Sequence, residues 1–152
     1  MTAKTDLGLR APLDTDWGYI CATWKDTLHN SLLRIPRSIY YRQQHRIIKK
    51  LRTEATFRVA YDLGEPNFIW GWSCFEGDLV HYCFVRHSRR KDGVAKMLLH
   101  GLPLPLKCSH WTIDAAAIAT AYPGIAIYYP DALGVTEREK DRTCHECIKR
   151  AV

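Results

Sequence analysis

Between Asp26 and Glu54 the chain has no acidic residue, while Arg34, Arg37, Arg42, Arg46, Lys49, Lys50 and Arg52 all fall inside that interval. A stretch of one sign is either a solvated helix face or a surface that meets an anion. Other absences narrow the class further. There is no low-complexity tract and no repeat at a solenoid-like period, so stacked-repeat architectures are excluded. The longest apolar stretch, from about Ile113 to Pro130, is interrupted by Asp114, Pro123 and Gly124. It makes a poor membrane span, and no membrane association is expected. Met1 to Arg10 contains Lys4, Asp6 and Arg10 but no apolar core of a signal peptide, and a cytoplasmic location is expected. The tail Cys144-His145-Glu146-Cys147 has no second Cys-x-x-Cys to complete a closed zinc site, so no metal is expected. Cys74 and Cys83 sit in apolar, strand-like runs and read as small reduced hydrophobes.

The 152 residues are 47% hydrophobic and 25% charged, a globular composition of the size of one domain. A single domain over 1–152 is expected, with 131–152 a polar helix or tail. The net charge of +6 and a pI near 9.1 favour an anionic partner: nucleic acid, a phosphorylated cofactor or an acidic protein.

Periodicity supplies the elements. Leu7 to Ala11 reads as a strand. Trp17, Ile20, Cys21, Trp24 and Leu28 recur at helical spacing behind a cap at Asp14 or Thr15. A second helix follows Pro36. The runs 55–63, 67–76 and 79–86, joined by Gly64-Glu65-Pro66-Asn67 and Gly77-Asp78, predict an antiparallel meander. A helix through Val94, Met97, Leu98, Gly101 and Leu102 stops at Pro103. Strands at 110–115 and 124–129 follow, with a helical or irregular link between them. Mixed α/β, with a mostly antiparallel sheet flanked by helices, is the expected class.

The sharpest local signal lies between the third strand of the meander and the helix after it. His81 to Val85 is apolar and aromatic, Arg89-Arg90-Lys91 is strongly basic, and Gly93 opens a helical pattern. A helix start with slim residues and added cations suits a phosphate or pyrophosphate. Arg90-Lys91-Asp92-Gly93-Val94-Ala95 resembles the Q/R-x-x-G-x-G/A signature of the GNAT superfamily of N-acetyltransferases. Val85 before it and Leu98 and Leu99 after it fall where that family has apolar residues, and the element order is similar from Leu7 to Tyr129. Where the family often carries a glycine beside the motif's arginine, this chain has Lys91 and Asp92.

The resemblance implies a GNAT-like fold that binds acetyl-CoA as acyl donor. It implies a pyrophosphate held by Arg89, Arg90, Lys91, Asp92, Gly93, Val94 and Ala95. Phe84 and Val85 would engage the pantetheine arm with their backbone. The acceptor would be an amine on a small molecule or a protein. For the chemistry, His81 is the candidate base, expected in phase with Cys83 and Val85, and Tyr122 is the candidate acid. Two other readings stand beside this one. One is a GNAT-like module without catalysis that serves as a binding protein. The other is a basic protein that binds nucleic acid weakly through the helix from Arg37 to Arg52.

Overall fold

The apolar spacing of the first third winds as expected. In the computed structural model, which describes residues 6–31, 36–110 and 112–128, strand β1 (Leu7–Arg10) leads through a 3-10 turn at Asp14–Asp16 into α1 (Trp17–Ser31). Ile20, Trp24 and Leu28 of α1 lie on one stripe and are fully buried. The entry differs from the expected cap at Asp14 or Thr15. It is the Asp16 carboxylate that accepts the Leu13 N–H at 2.7 Å and pairs with the Arg10 guanidinium. Burial alone would raise the Asp16 pKa. The hydrogen bonds from Arg10 and Leu13, with the Arg10 charge, outweigh it and hold the carboxyl below its ordinary range.

Helix α2 (Arg37–Glu54) buries Tyr40, Gln44, Ile48 and Leu51. The Trp24 indole N–H donates to Gln44 Oε1 at 3.0 Å, which satisfies a buried amide oxygen between α1 and α2. The basic stretch is partly neutralised. Arg37 pairs with Asp26, Lys50 with Glu54 and Arg52 with Asp14. Arg42, Arg46 and Lys49 are exposed and carry no ion pair among the described residues, and Arg34 lies outside them.

Strands β2 (Thr56–Asp62), β3 (Ile69–Glu76) and β4 (Leu79–Val85) form the expected antiparallel meander beside β1. Short strands β5 (Leu106–Cys108) and β6 (Ala126–Tyr128) extend the sheet in parallel, in the order β1-β2-β3-β4-β5-β6. One face packs under α1 and α2, where Val59, Trp72, Cys74 and Tyr82 meet Ile20, Trp24 and Leu28. The Trp24, Trp72 and Tyr82 rings stack on one another at 5.0 to 5.6 Å. The other face is thinner: Ala60 packs with Val94 and Leu98 of α3 (Val94–Leu98), joined by Cys83, Val85 and Met97.

Two expectations are corrected. The helix after Gly93 ends at Leu98, well before Pro103, because the chain turns through Gly101 at φ 86°. Of residues 110–115, read as a strand, 113–115 instead form the first turn of α4 (Ile113–Ala121), and Trp111 lies outside the described residues. The Thr112 side chain accepts the Ala115 N–H at 3.1 Å and Asp114 sits in the first turn, an N-terminus that apolar periodicity does not reveal. The strand lies earlier, in Leu106–Cys108, where the neighbouring Pro103 and Pro105 conceal it. Tyr129, the 131–152 tail and its Cys144 and Cys147 lie outside the described residues. Among the described residues no helix is long and apolar enough to cross a membrane.

Candidate active site

The sheet is not equally continuous on the two sides of β4. Against β3 it is paired from Leu79 to Val85. Against β5 it is paired only at Leu79 and Val80. Two more bonds prolong this second seam: Ser109 N–H donates to the Val80 carbonyl, and His110 Nδ1 contacts the His81 carbonyl oxygen, each at 3.0 Å. Beyond that point no described β5 residue is paired with β4, and the sheet splits. Arg86 N–H donates to the Trp70 carbonyl on the β3 side at 2.9 Å. By strand alternation, Cys83 and Val85 therefore turn their backbone groups toward the split. Arg90 Nε reaches the Val85 carbonyl there at 3.3 Å.

The turn that follows brings the predicted basic residues to the same end of β4. The Arg89 guanidinium stacks on Trp70 at 4.4 Å and pairs with Asp92 at 3.4 Å. Arg90 also pairs with Asp114 of α4 at 3.3 Å, so it bridges the two sides of the split. Lys91 has φ 73° and Gly93, the residue that caps α3, has φ 82°. Lys91 is the one non-glycine residue at positive φ among those described. It holds the left-handed conformation that a glycine would adopt more cheaply. A Cβ built on Gly93 would meet no atom within 4 Å, so the backbone there faces open space. Val94 is buried under the sheet, and Ala95 keeps the first turn of α3 narrow.

Phe84 and Val85 both lie at the splayed end of β4, but only Val85 turns its backbone toward the split, whereas Phe84, opposite Trp72, turns its backbone toward β3. His81 does not share the simple alternation expected of it. The β3/β4 register slips between Cys74 and Phe75, so Tyr82 pairs with Cys74, Val80 pairs with Phe75, and His81 is the extra residue of a bulge. Its ring is buried, and both nitrogens are engaged. Nδ1 lies 2.8 Å from Ser109 Oγ and Nε2 lies 2.8 Å from Glu76 Oε1. Burial lowers the His81 pKa, and the Glu76 carboxylate opposes it without cancelling the effect. Tyr122 stands at the C-terminal end of α4, 64% exposed. No hydrogen bond or ring contact joins it to His81 among the described residues. The Cys83 thiol is pushed up by burial and by Cys108 to about 12, which keeps it protonated and unsuited to act as a nucleophile.

Two residues of this cluster have no sequence signal of their own. Ser109 and His110 follow β5 and are drawn to His81 only when β5 docks beside β4. Ser109 Oγ lies 3.0 Å from His110 Nδ1, and the His110 ring packs edge-on to Trp24 at 5.6 Å. Burial, with His81 nearby, lowers the His110 pKa to about 4.

No protein-family model matches the chain, and no curated protein does either. Solved structures do. An acetyl transferase assignment from Pyrococcus furiosus aligns over 93% of this chain and 91% of its own, at 15% identity and a TM-score of 0.50. The fold is GNAT-like. Weaker matches include PaiA N-acetyltransferase from Thermoplasma acidophilum in complex with coenzyme A, at 10% identity and a TM-score of 0.46, over 95% and 88% of the two chains. Apo YjaB from Escherichia coli matches at 16% identity and a TM-score of 0.47, and this chain spans 62% of its length. In the GNAT-like fold of this chain, the motif turn Arg90 to Ala95 stands between the split strand β4 and helix α3.

Proposed function

We propose that this chain binds acetyl-CoA in the split between β4 and β5 and transfers the acetyl group to an amine on a small molecule or protein. The observation that carries the reading is the edge of β4 at Cys83 and Val85, which no strand covers among the described residues and which runs directly into a basic turn with two left-handed residues. The residues present fit the cofactor. The open backbone at Gly93 and the cations Arg89, Arg90, Lys91 and Lys96 suit a pyrophosphate. Asp92 and Asp114 pair with Arg89 and Arg90, so the four cations and two carboxylates leave a surplus of two positive charges at the turn. With only five residues, α3 contributes little dipole, so backbone donors and side-chain charge carry the anion.

When bound, acetyl-CoA supplies an activated acetyl thioester. The chain's own residues do the rest. The Cys83 and Val85 backbone edge would align the pantetheine arm, with Phe84 on the same strand. Val85 N–H, turned toward the split, would polarise the acetyl carbonyl. His81 is the proposed base, acting through the groups bonded to its ring, because neither nitrogen is free. Tyr122 is the proposed acid.

The test is thiol release from acetyl-CoA by the full chain in the presence of a panel of primary amines. The reading expects acceptor-dependent release that falls by on the order of a hundredfold in His81→Ala, the scale of a lost general base, with acetyl-CoA affinity held. A chain that binds acetyl-CoA and acetylates no amine would be a binding module instead.

A further inference from the structure

The hydrogen-bond chain around His81 has a direction that its chemistry fixes. The His81 carbonyl oxygen can only accept, so the His110 Nδ1 that lies 3.0 Å from it carries the proton. Ser109 Oγ, also 3.0 Å from that nitrogen, is then a second acceptor for the same N–H. The one Ser109 hydroxyl proton is left for His81 Nδ1 at 2.8 Å, which must be bare to take it. His81 is neutral when its pKa is lowered, so its proton sits on Nε2 and is donated to Glu76 Oε1 at 2.8 Å. Every proton in the chain thus points outward, from His110 through Ser109 and His81 to Glu76. The ends differ in kind. Glu76 is 41% exposed, whereas the His81 side chain is 1% exposed and Ser109 is buried. At the other end His110 is half-buried where the two strands part, and its Nε2 has no partner among the described residues.

A structural pin for the bulge would need only one or two of these bonds. A serine nucleophile activated by His81 would need an accessible oxygen, and Ser109 is 4% exposed. The arrangement that uses all four groups is a conduit. We propose that His110, Ser109, His81 and Glu76 form a proton wire, in which His110 Nε2 takes the proton of the acceptor amine and Glu76 releases one to solvent. This rests on the acetyl-transfer reading and deepens it: His110 is the residue that touches the substrate, and the other three act through it. The amine N–H bond breaks as a bond forms to His110 Nε2. The Nδ1 proton passes to Ser109 Oγ, the Oγ proton to His81 Nδ1, and the Nε2 proton to the Glu76 carboxylate. The amine loses one proton, Glu76 gains one, Ser109 is unchanged and both imidazoles exchange tautomers. No imidazolium has to form, so the low basicity of the buried rings is no obstacle. The rings reset once product has left: His110 Nε2 gives its proton to water entering the split, and Glu76 takes one from solvent and returns it along the same path, so the net result is one proton from the amine to solvent.

The test has two arms on the full-length chain. Long-range proton–nitrogen NMR of the imidazoles should show His110 protonated at Nδ1 and His81 protonated at Nε2 between pH 6 and about 8, with no ligand added. With acetyl-CoA and an amine from the panel that supports turnover, Ser109→Ala should lower kcat by on the order of a hundredfold or more while leaving the KM for acetyl-CoA unchanged. Ser109→Thr, which keeps the hydroxyl, should restore most of it, a rescue that a packing role alone would not predict. The opposite tautomer at His110, a kcat indifferent to Ser109→Ala, or a trapped acetyl group on Ser109 would each overturn the wire. A folded chain that takes up no acetyl-CoA in calorimetry would instead refute the acetyl-transfer reading, and the wire's role in catalysis with it, whereas wrong tautomers in a chain that does bind would refute the wire alone.

Discussion

Strand β4 has two seams, and they are built from different materials. On the β3 side it is paired from Leu79 to Val85 apart from the bulged His81, and backed by stacked aromatic rings, with Trp72 bonded through its indole N–H to Thr23 Oγ1 at 2.9 Å. Gly71 lets the two backbones come so close that a Cβ there would sit 2.6 Å from the Phe84 carbonyl oxygen. On the β5 side, among the described residues, the strands are held by two residue pairs, the Ser109 N–H bond to Val80, and the contacts of His81 with Ser109 and His110. The closed seam is apolar and the open seam is lined by polar and titratable groups. The difference teaches that stability and ligand access have been separated onto the two edges of a single strand. Burial on one side allows backbone groups on the other to go unpaired until a ligand meets them.

Changes on the closed seam should cost the most stability. Trp72→Ala removes the centre of the ring stack and should lower unfolding free energy by about 3–5 kcal/mol in denaturant titration. A loss below about 1 kcal/mol would mean that the aromatic stack is not the anchor. On the open seam the expected effect is a pH dependence. The His110 pKa falls from 6.5 to about 4 in the folded chain, so the unfolded chain binds more protons between those values. Stability is therefore full above pH 6.5 and is lost as pH drops toward 4, by about 3 kcal/mol at most. The buried His81 shifts in the same direction. Unfolding curves for the wild type and His110→Gln should converge as pH falls through that window, and parallel curves would remove His110 from the account. The smallest effect belongs to the turn. Lys91→Gly relieves a left-handed lysine and should raise stability by about 1 kcal/mol. A destabilisation would show that contacts of the lysine side chain outweigh the backbone strain.

The closed seam was legible in the sequence and the open one was not. Trp17 to Leu28 and the three runs of the meander carry their own periodicity, and the tight turn at Gly77-Asp78 joins the last two. The motif turn was legible too, because glycine, cations and slim residues at a strand-to-helix junction leave a local imprint. What lay hidden depends on long-range docking. The bulge that moves His81 out of phase is set by a one-residue difference between β3 and β4, which neither strand shows alone. Ser109 and His110 reach His81 only through the parallel pairing of β5, a strand of three residues masked by prolines. The first turn of α4 is marked by the Thr112 cap, and an apolar reading of the same residues gave a strand.

The most direct measurement is a calorimetric titration of acetyl-CoA into the full-length chain and into Gly93→Leu. Leucine at a left-handed position adds about 1–2 kcal/mol of backbone strain, a modest fall in melting temperature, and its side chain occupies the open space in front of the turn. The account predicts one-site binding to the wild type and a loss of at least about tenfold in affinity in a variant that still folds, roughly 1.4 kcal/mol or more of binding free energy. No heat from the folded wild type, or equal affinity in the two proteins, would contradict the assignment of this split and its basic turn as the acyl-CoA site.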